Sequence, residues 1–481
     1  MTLRLQNILF FSLSALFVAA HLVMTYSGFP FLAFLPFGLL VALLALYRLD
    51  VILGMVVAFT PLSININEFD IVDFGLYLPT EPLLFGVLIL FVSKQILDGG
   101  YPLKLLTHPV SLIVIIHLCW LFITAVTSED ILVSMKFLLM RLWFVVPLFF
   151  FGLTILSDES TIKKMLWLYM ISLVVVVLYT LVNHAMHGFE EKPAHWVMSP
   201  FYKDHTSYGA LVAMYIPVAV GLYFNKSYTP IFRSIILFLA LILLVGVIFS
   251  YTRAAWVSLI GALGLYFVLL FKIRFSTIVF TMVLGAFVFF AFYDQIMMDL
   301  ERNKVESSDS IAEHATSISN ISSDASNLER INRWNCAIRM WQERPVFGWG
   351  PGTYQFYYAS FQHSSELTII STNFGDLGNA HSEYLGPLAE QGFLGMIIMV
   401  AFVLAILLTG INLYQQLPEG ETRLLVVVML LGLVTYFIHG ILNNYLDTDK
   451  ASVPVWGFSA AIVAVDMKRR LQGKLIDPDR Q

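Results

Sequence analysis

The chain contains few charged residues and almost no cysteine. Only 13% of its 481 residues are Asp, Glu, Lys or Arg. The two cysteines, Cys119 and Cys336, are too few for a disulfide framework or a cysteine-based metal cluster. The sequence has no GxSxG elbow, no HExxH pair and no Cys–His arrangement, so it offers no familiar nucleophile or zinc site. The net charge of −5 argues against a nucleic-acid partner.

Hydrophobic residues are abundant instead. They make up 58% of the chain, and the mean hydropathy is +0.78, well beyond what a soluble core requires. Apolar runs near the length of a membrane-spanning helix recur, for example at 8–23, 111–126, 165–182, 235–249 and 396–409. They predict an all-α, polytopic integral membrane protein with about 12–14 transmembrane helices of roughly 20 residues. The first run follows Arg4 and lacks a small-residue cleavage site, which indicates a retained signal anchor.

Lysine and arginine cluster in alternate short loops and near the end of the chain. The positive-inside rule therefore places both termini in the cytoplasm. This topology divides the chain into an N-terminal transmembrane region (1–297), an external segment (298–383) and C-terminal transmembrane helices with a short cytoplasmic tail (384–481). Within the external segment, the Ser-rich stretch 306–327 is interpreted as a loop without chemistry.

Four cations break the positive-inside rule, because they fall at external helix ends or in external loops. They are Lys136 and Arg141 in DILVSMKFLLMRLWF, Lys203 in SPFYKDHTSYGAL and Arg253 in FSYTRAAWVSL. An isolated lysine can simply snorkel to lipid phosphates. Arg253 differs, because it lies between two apolar runs with almost no loop, where an uncompensated cation is costly. Such cations around one external cavity suit a lipid-linked phosphate or diphosphate.

The stretch SNLERINRWNCAIRMWQERP predicts a helix in the external segment. Ser326 and Glu329 form a capping-box pattern, and Pro345 ends the helix. The three alternating glycines of VFGWGPG, which follow, favour a tight turn that reverses the chain, or that exposes backbone amides to an anion.

One face of this predicted helix is apolar. This face consists of residues that recur at helical spacing, Trp334, Ile338 and Trp341. Arg330 falls on the same face, so it is expected to point toward protein or ligand, whereas Arg333 and Arg339 are expected to reach water. Pairing of Arg330 with a nearby carboxylate is the alternative.

His381 lies in NAHSEYLGPLAEQG, where the polar segment meets an apolar run that begins near Phe393. Imidazole is the side chain best suited to take a proton near neutral pH. Glu383 and Glu390, seven residues apart, fall on nearly the same helical face. The hypothesis is a general base at the outer end of a membrane helix. The alternative is an ordinary cap, which is the usual role of a lone histidine at a helix start.

Three local patterns in order make the chain resemble the O-antigen ligase and polymerase family. They are SYTRAAW, then RxxxW…AIRMWQERPVFGWGPG, then AHSEYLGPLAEQGFLG. Members of that family are bacterial membrane glycosyltransferases whose donors are glycans linked to undecaprenyl diphosphate. The resemblance implies a GT-C-like fold in the bacterial inner membrane, with its active site facing the periplasm.

The resemblance also implies roles for individual residues. Arg253 and Arg330 match the arginines that hold the donor diphosphate, and His381 matches the proposed base, so these three are the candidate catalytic residues. The candidate substrate-binding residues are Lys136, Arg141, Lys203 and Glu383. One departure is visible, because Ser382 stands where the family usually has Asn after the histidine.

The expected reaction needs no cofactor and no metal. Two guanidinium groups can stabilise the departing diphosphate, and a single in-line displacement by an acceptor hydroxyl would invert the anomeric carbon. The expected acceptor is lipid A-core, or else another glycan or a protein. A polysaccharide polymerase and a protein O-oligosaccharyltransferase therefore stay open as alternatives, because they differ only in the acceptor.

Two further alternatives come from other classes. Asp447 and Asp449 form an external DxD in NNYLDTDKAS, which would suit a metal-dependent oligosaccharyltransferase, although a polar turn between helices is the favoured interpretation. A transporter of lipid-linked glycans is less favoured. No clear internal repeat of broken helices is apparent, and the cations gather on the outer side instead of at the midplane.

The predicted topology can be tested by cysteine labelling. We expect Ser323→Cys to react with a membrane-impermeant thiol reagent added from outside, because the external segment contains this position. Labelling from the cytoplasmic side alone would contradict both the topology and the site that depends on it.

Overall fold

The computed structural model describes residues 3–28, 32–33, 35–69, 75–273, 325–368, 371 and 378–476. Helices dominate this part of the chain, which confirms the predicted all-α fold. Its strands form one short antiparallel pair, β1 (Ile64–Asn65) with β2 (Tyr77–Leu78). The Ser-rich stretch up to residue 324, Ser323 with it, lies outside the described residues.

Eighteen α-helices follow one another in the described residues. They are α1 (Leu3–Tyr26), α2 (Leu35–Tyr47), α3 (Leu49–Phe59), α4 (Thr80–Leu97), α5 (Leu103–Leu106), α6 (Pro109–Val126), α7 (Ile131–Val145), α8 (Gly152–Ile155), α9 (Glu159–Ala185), α10 (Glu191–Ala194), α11 (His205–Tyr223), α12 (Pro230–Ile248), α13 (Arg253–Leu270), α14 (Ala325–Glu343), α15 (Tyr354–Tyr357), α16 (Leu385–Gln416), α17 (Glu421–His439) and α18 (Asp449–Ile476). A π-helical stretch, Val146–Phe151, joins α7 to α8, and 3-10 turns occupy Ile66–Phe69 and Tyr358–Phe361.

Ten helical segments of the described chain are long and apolar enough to cross a membrane. They are α1, α4, α6, the continuous α7–α8 unit, α9, α11, α12, α13, α16 and α17. Two shorter apolar helices, α2 and α3, lie between the first two of these. The predicted 12–14 spans also drew on the sequence between 274 and 324, which lies outside the described residues.

The centre of the bundle is formed by α11, α17 and α18. Both α11 and α17 are apolar around their whole circumference, so they bury side chains on every side and take the interior positions. Gly221 of α11 faces Val428 of α17 so closely that a Cβ at that glycine would collide with the valine side chain. These helices carry the segments that surround the site described below.

The long helix α16 is broken near its start, a feature that the sequence does not predict. Gly392 adopts φ 72° and ψ −172°, which interrupts the helical hydrogen bonds. The turn formed by Pro345 and the glycine-rich residues after it provides hydrogen-bond partners for backbone groups on both sides of the break. The Trp349 amide donates to the Ala389 carbonyl (3.1 Å), the Gly350 amide to the Glu390 carbonyl (2.8 Å), and the Phe393 amide to the Pro345 carbonyl (3.0 Å). At membrane depth such backbone groups must be satisfied within the protein.

The start of α18 joins three parts of the bundle. The ammonium of Lys450 is buried and donates to the Thr60 carbonyl (2.6 Å) and the Ser63 carbonyl (2.7 Å) at the end of α3. Asp449 accepts hydrogen bonds from Ser63 (2.5 Å) and from Thr80 at the start of α4. These contacts fix the position of the preceding connection, 440–448.

The break in α16 gives a stability prediction. We expect Gly392→Ala to destabilise the folded protein by roughly 1–3 kcal/mol, because this backbone conformation is essentially restricted to glycine and a Cβ would collide with the Val346 carbonyl. The matched control is Gly457→Ala, whose new methyl group meets no atom within 4 Å. Thermal unfolding in detergent should show a lower midpoint for Gly392→Ala and no decrease for Gly457→Ala. Equal midpoints would contradict the constraint.

Candidate active site

A cavity of about 650 Å³ lies between α7, α14, α16, the segment before α11 and the connection 440–448. Its charged lining residues, together with the candidate base, are Arg141, Lys203, Asp204, Arg333, His381, Glu383, Glu390, Asp447 and Lys450. Four of the seven predicted site residues are among them: Arg141, Lys203, His381 and Glu383. The other three are not in the lining.

Those three residues differ in where they lie. Arg330 lies beside the cavity, close enough for its charge to act on His381. Arg253 is the half-buried first residue of α13. The start of that helix is tied to the start of α11, because the Thr252 hydroxyl donates to the His205 carbonyl (2.8 Å). Lys136 is exposed on α7.

The backbone of His381 is held in an unusual conformation. Its φ of 48° lies in the left-handed region, which non-glycine residues seldom occupy. The His381 amide donates to the Asn379 side chain (3.0 Å), and its carbonyl accepts from the Trp334 indole (3.3 Å). The side chain of Asn443 lies beside the imidazole. Asn379 and Trp334 therefore hold the backbone of His381, and Asn443 contacts its ring.

Ser382 binds the backbone amides that follow it. Its hydroxyl accepts hydrogen bonds from the amides of Tyr384 and Leu385, both at 3.3 Å, where α16 begins. The residue is buried. At this position the chain therefore stabilises the helix start with a hydroxyl in place of the amide side chain that the family pattern would supply.

His381 is neutral at physiological pH. Burial lowers its pKa, the positive charges of Arg330 and Arg333 lower it further, and the result is a pKa of about 4. A neutral imidazole can accept a proton from a hydroxyl group. An anion bound near the two arginines would offset their charges and so raise the proton affinity of His381.

Arg333 corrects the sequence analysis, which expected it to reach water. It is buried, its Nε donates to Glu329 (2.6 Å), and its guanidinium stacks on the Tyr358 ring at 4.1 Å from the centroid. The carboxylate and the ring offset the cost of burying the charge. Glu329 therefore pairs with Arg333.

The predicted inner face of α14 is also wrong, whereas Arg339 keeps part of its side chain exposed, as expected. Arg339 is half-buried, and it donates to Glu366 (2.5 Å) and to the Phe361 carbonyl (2.7 Å). The predicted face of Trp334, Ile338 and Trp341 is only partly buried. The buried side chains of α14 are Glu329, Asn332, Arg333, Cys336, Ala337 and Met340. The sequence analysis was misled because a paired arginine occupies the inner face.

Glu383 holds the connection 440–448 in place. Its carboxylate accepts hydrogen bonds from the Tyr436 hydroxyl (2.6 Å), the Tyr445 amide (2.6 Å) and the Leu446 amide (2.9 Å). Burial raises its pKa, and the negative charge of Asp447 adds to the rise. Its carboxylate thus supports the wall of the cavity, and its assignment as a substrate ligand stays a prediction.

Arg141 lies deeper than the sequence analysis expected. It is ten residues after the first residue of α7, Ile131, about 15 Å along the helix, and it is buried. Its guanidinium donates to Asp447 (2.7 Å) and to the Leu446 carbonyl (3.0 Å). The cation therefore binds the connection 440–448, as Glu383 does.

Asp447 and Asp449 have separate partners. Asp447 pairs with Arg141, whereas Asp449 accepts from Ser63 and Thr80. This geometry favours the interpretation of the DxD as a polar turn. Within the described residues, no group of three or more His, Cys, Asp or Glu side chains could hold a metal ion.

Sequence reasoning missed Asp204, which lines the cavity beside Lys203. It is the N-cap of α11, and its carboxylate accepts from the Ser207 amide (2.7 Å). The available signal was its place directly before the apolar run of α11, which fixes a carboxylate at the end of a membrane helix.

Residues 238–400 match the family model described as O-antigen ligase. The match covers the helix that starts at Arg253, the helix that carries Arg330, and the segment of His381. No curated protein matches the chain.

Proposed function

We propose that this membrane protein, a member of the O-antigen ligase family through its domain at 238–400, transfers a glycan from undecaprenyl diphosphate to an acceptor hydroxyl at the periplasmic face. The preferred acceptor is lipid A-core. The observation that carries this proposal is the neutral, rigidly held His381 beside Arg330 at the edge of a cavity. A base and an anion-binding cation are what such a transfer requires.

The proposed reaction is a single displacement. The acceptor hydroxyl gives its proton to the imidazole of His381 as its oxygen forms a bond to the anomeric carbon. The bond between that carbon and the diphosphate oxygen breaks, and the diphosphate leaves with the electron pair. The anomeric configuration is inverted, and no step requires a metal.

Arg253 and Arg330 are proposed to hold the diphosphate. A guanidinium remains charged and can donate two parallel hydrogen bonds to phosphate oxygens. The tie between Thr252 and the His205 carbonyl brings the start of α13 next to Asp204, which lines the cavity. Lys203, exposed at the same cavity, and Lys136 would add affinity for the donor without contacting the reacting atoms.

Substitution of the two arginines tests the donor site. We expect Arg253→Ala and Arg330→Ala each to lower kcat by about 10²–10³-fold, the effect of removing one group that stabilises developing negative charge. Lysine should restore only part of the loss, since it replaces a planar fork with a point charge. The assay is glycan transfer by the reconstituted protein from a lipid-diphosphate donor.

Arg48→Lys is the matched control, because Arg48 is exposed and pairs with Asp50 far from the cavity. Full transfer by both alanine variants, with the protein normally inserted, would exclude the proposed donor site.

Substitution of His381 tests the base. We expect His381→Gln to lower kcat by about 10²–10⁴-fold, while donor binding largely survives because the arginines remain. Chelators should leave transfer unchanged. The decisive comparison is donor affinity against turnover in the same variant. If His381→Gln bound no donor, or if divalent ions restored transfer after chelation, the base assignment would be wrong.

A further inference from the structure

Asp204 is a carboxylate with a fixed position at the cavity. One of its oxygens accepts hydrogen bonds from the Thr206 hydroxyl (2.6 Å) and the Ser207 amide (2.7 Å). The Thr206 hydroxyl also contacts the Tyr445 hydroxyl, so the cap is joined to the connection 440–448. The carboxylate is therefore held in one orientation before any substrate arrives.

Asp204 and His381 line the same cavity although they are far apart in the sequence. The negative charge of Asp204 favours protonation of His381, whereas Arg330 and Arg333 of α14 oppose it. Asn443 lies beside the ring from the connection 440–448, and the same charges of Asp204 and Arg330 reach His205 and His439. Among the groups that act on the His381 imidazole, Asp204 is the carboxylate.

We propose that Asp204 is a positioning residue for the base, stabilising His381 in the protonated form that it adopts when it takes the acceptor proton. This inference depends on the proposed function. The carboxylate acts through its electric field across the cavity that the two residues share.

The charges around the base explain why such a carboxylate is needed. Protonated His381 would be a third positive charge beside Arg330 and Arg333. The bound diphosphate offsets those charges while it stays, but the leaving group takes its negative charge away after the bond breaks. Asp204 remains, so the imidazolium keeps one fixed counter-charge through the whole step.

An ordinary capping role is the competing explanation, and one substitution separates the two. Asparagine caps a helix as well as aspartate does, but it carries no charge. We expect Asp204→Asn to fold normally and to lower kcat by about 10–100-fold, less than direct loss of a general base. Asp204→Ser, which also caps, should behave the same way. Asp130→Asn, at the cap of α7, is the matched control and should leave kcat unchanged.

The pH dependence gives a readout that a structural role would not change. Because Asp204 favours the protonated form of His381, its neutralisation should lower the pKa of that residue. The acid limb of the kcat profile should therefore move to lower pH in Asp204→Asn, even though the plateau rate is smaller. Histidine NMR titration of the protein without donor should show the same direction. An unchanged limb and an unchanged titration would overturn the proposal.

A double variant distinguishes a failure of this inference from a failure of the proposed function. If Asp204 acts through His381, Asp204→Asn should cause little further loss in the His381→Gln background, because the two residues act as a unit. Losses that multiply would overturn the inference and leave the base in place. If His381→Gln alone kept full transfer, the proposed function of His381 would fail, whatever Asp204 does.

Discussion

The site depends on a polar connection that is held inside an apolar bundle. Residues 440–448 join α17 to α18 as a non-helical connection, in a region where exposed backbone amides and carbonyls would be costly. Glu383 accepts from two amides of this connection, and Arg141 donates to one of its carbonyls. A carboxyl group and a guanidinium thus bind three backbone groups of the connection, which forms part of the cavity wall.

The second requirement is a balance of charge around an uncharged base. Burial and two arginines keep His381 neutral, which is the form that can accept a proton, and the cations that keep it neutral are also suited to attract a diphosphate. Arg333 can stay buried because Glu329 and the Tyr358 ring offset its charge. The site can therefore concentrate positive charge without destabilising the helix that carries it.

Much of the fold could be predicted from the sequence, because long apolar runs have few alternatives in a bilayer. The turn of three glycines was also predicted, and all three adopt positive φ. The break at Gly392 could not be predicted, since it depends on hydrogen bonds to a turn more than forty residues away in the sequence. The burial of Arg333 was missed for a related reason. Helical periodicity detects an inner face through its apolar side chains. Arg333 also packs inward, because it pairs with Glu329 four residues before it.

The site, like the fold, could be predicted from the sequence only in part. The neighbourhood of Arg330 and His381 was expected only through a family resemblance, because no local pattern relates two residues that are 51 positions apart. Asp204 was not predicted beside Lys203, since the positive-inside rule singles out misplaced cations and says nothing of carboxylates. Its position at the cavity follows from the packing of α11 and the connection 440–448, which no short motif records.

The break in α16 has a mechanical consequence. The two turns before Gly392 are fastened by Trp349 and Gly350 to the strand of chain that leaves α14, and His381 is fastened to the same helix through Trp334. Phe393, on the other side of the break, is bonded to Pro345 of the same turn. The histidine, α14 and both sides of the break are therefore held together as one unit, so a distortion of the glycine turn would also displace the base.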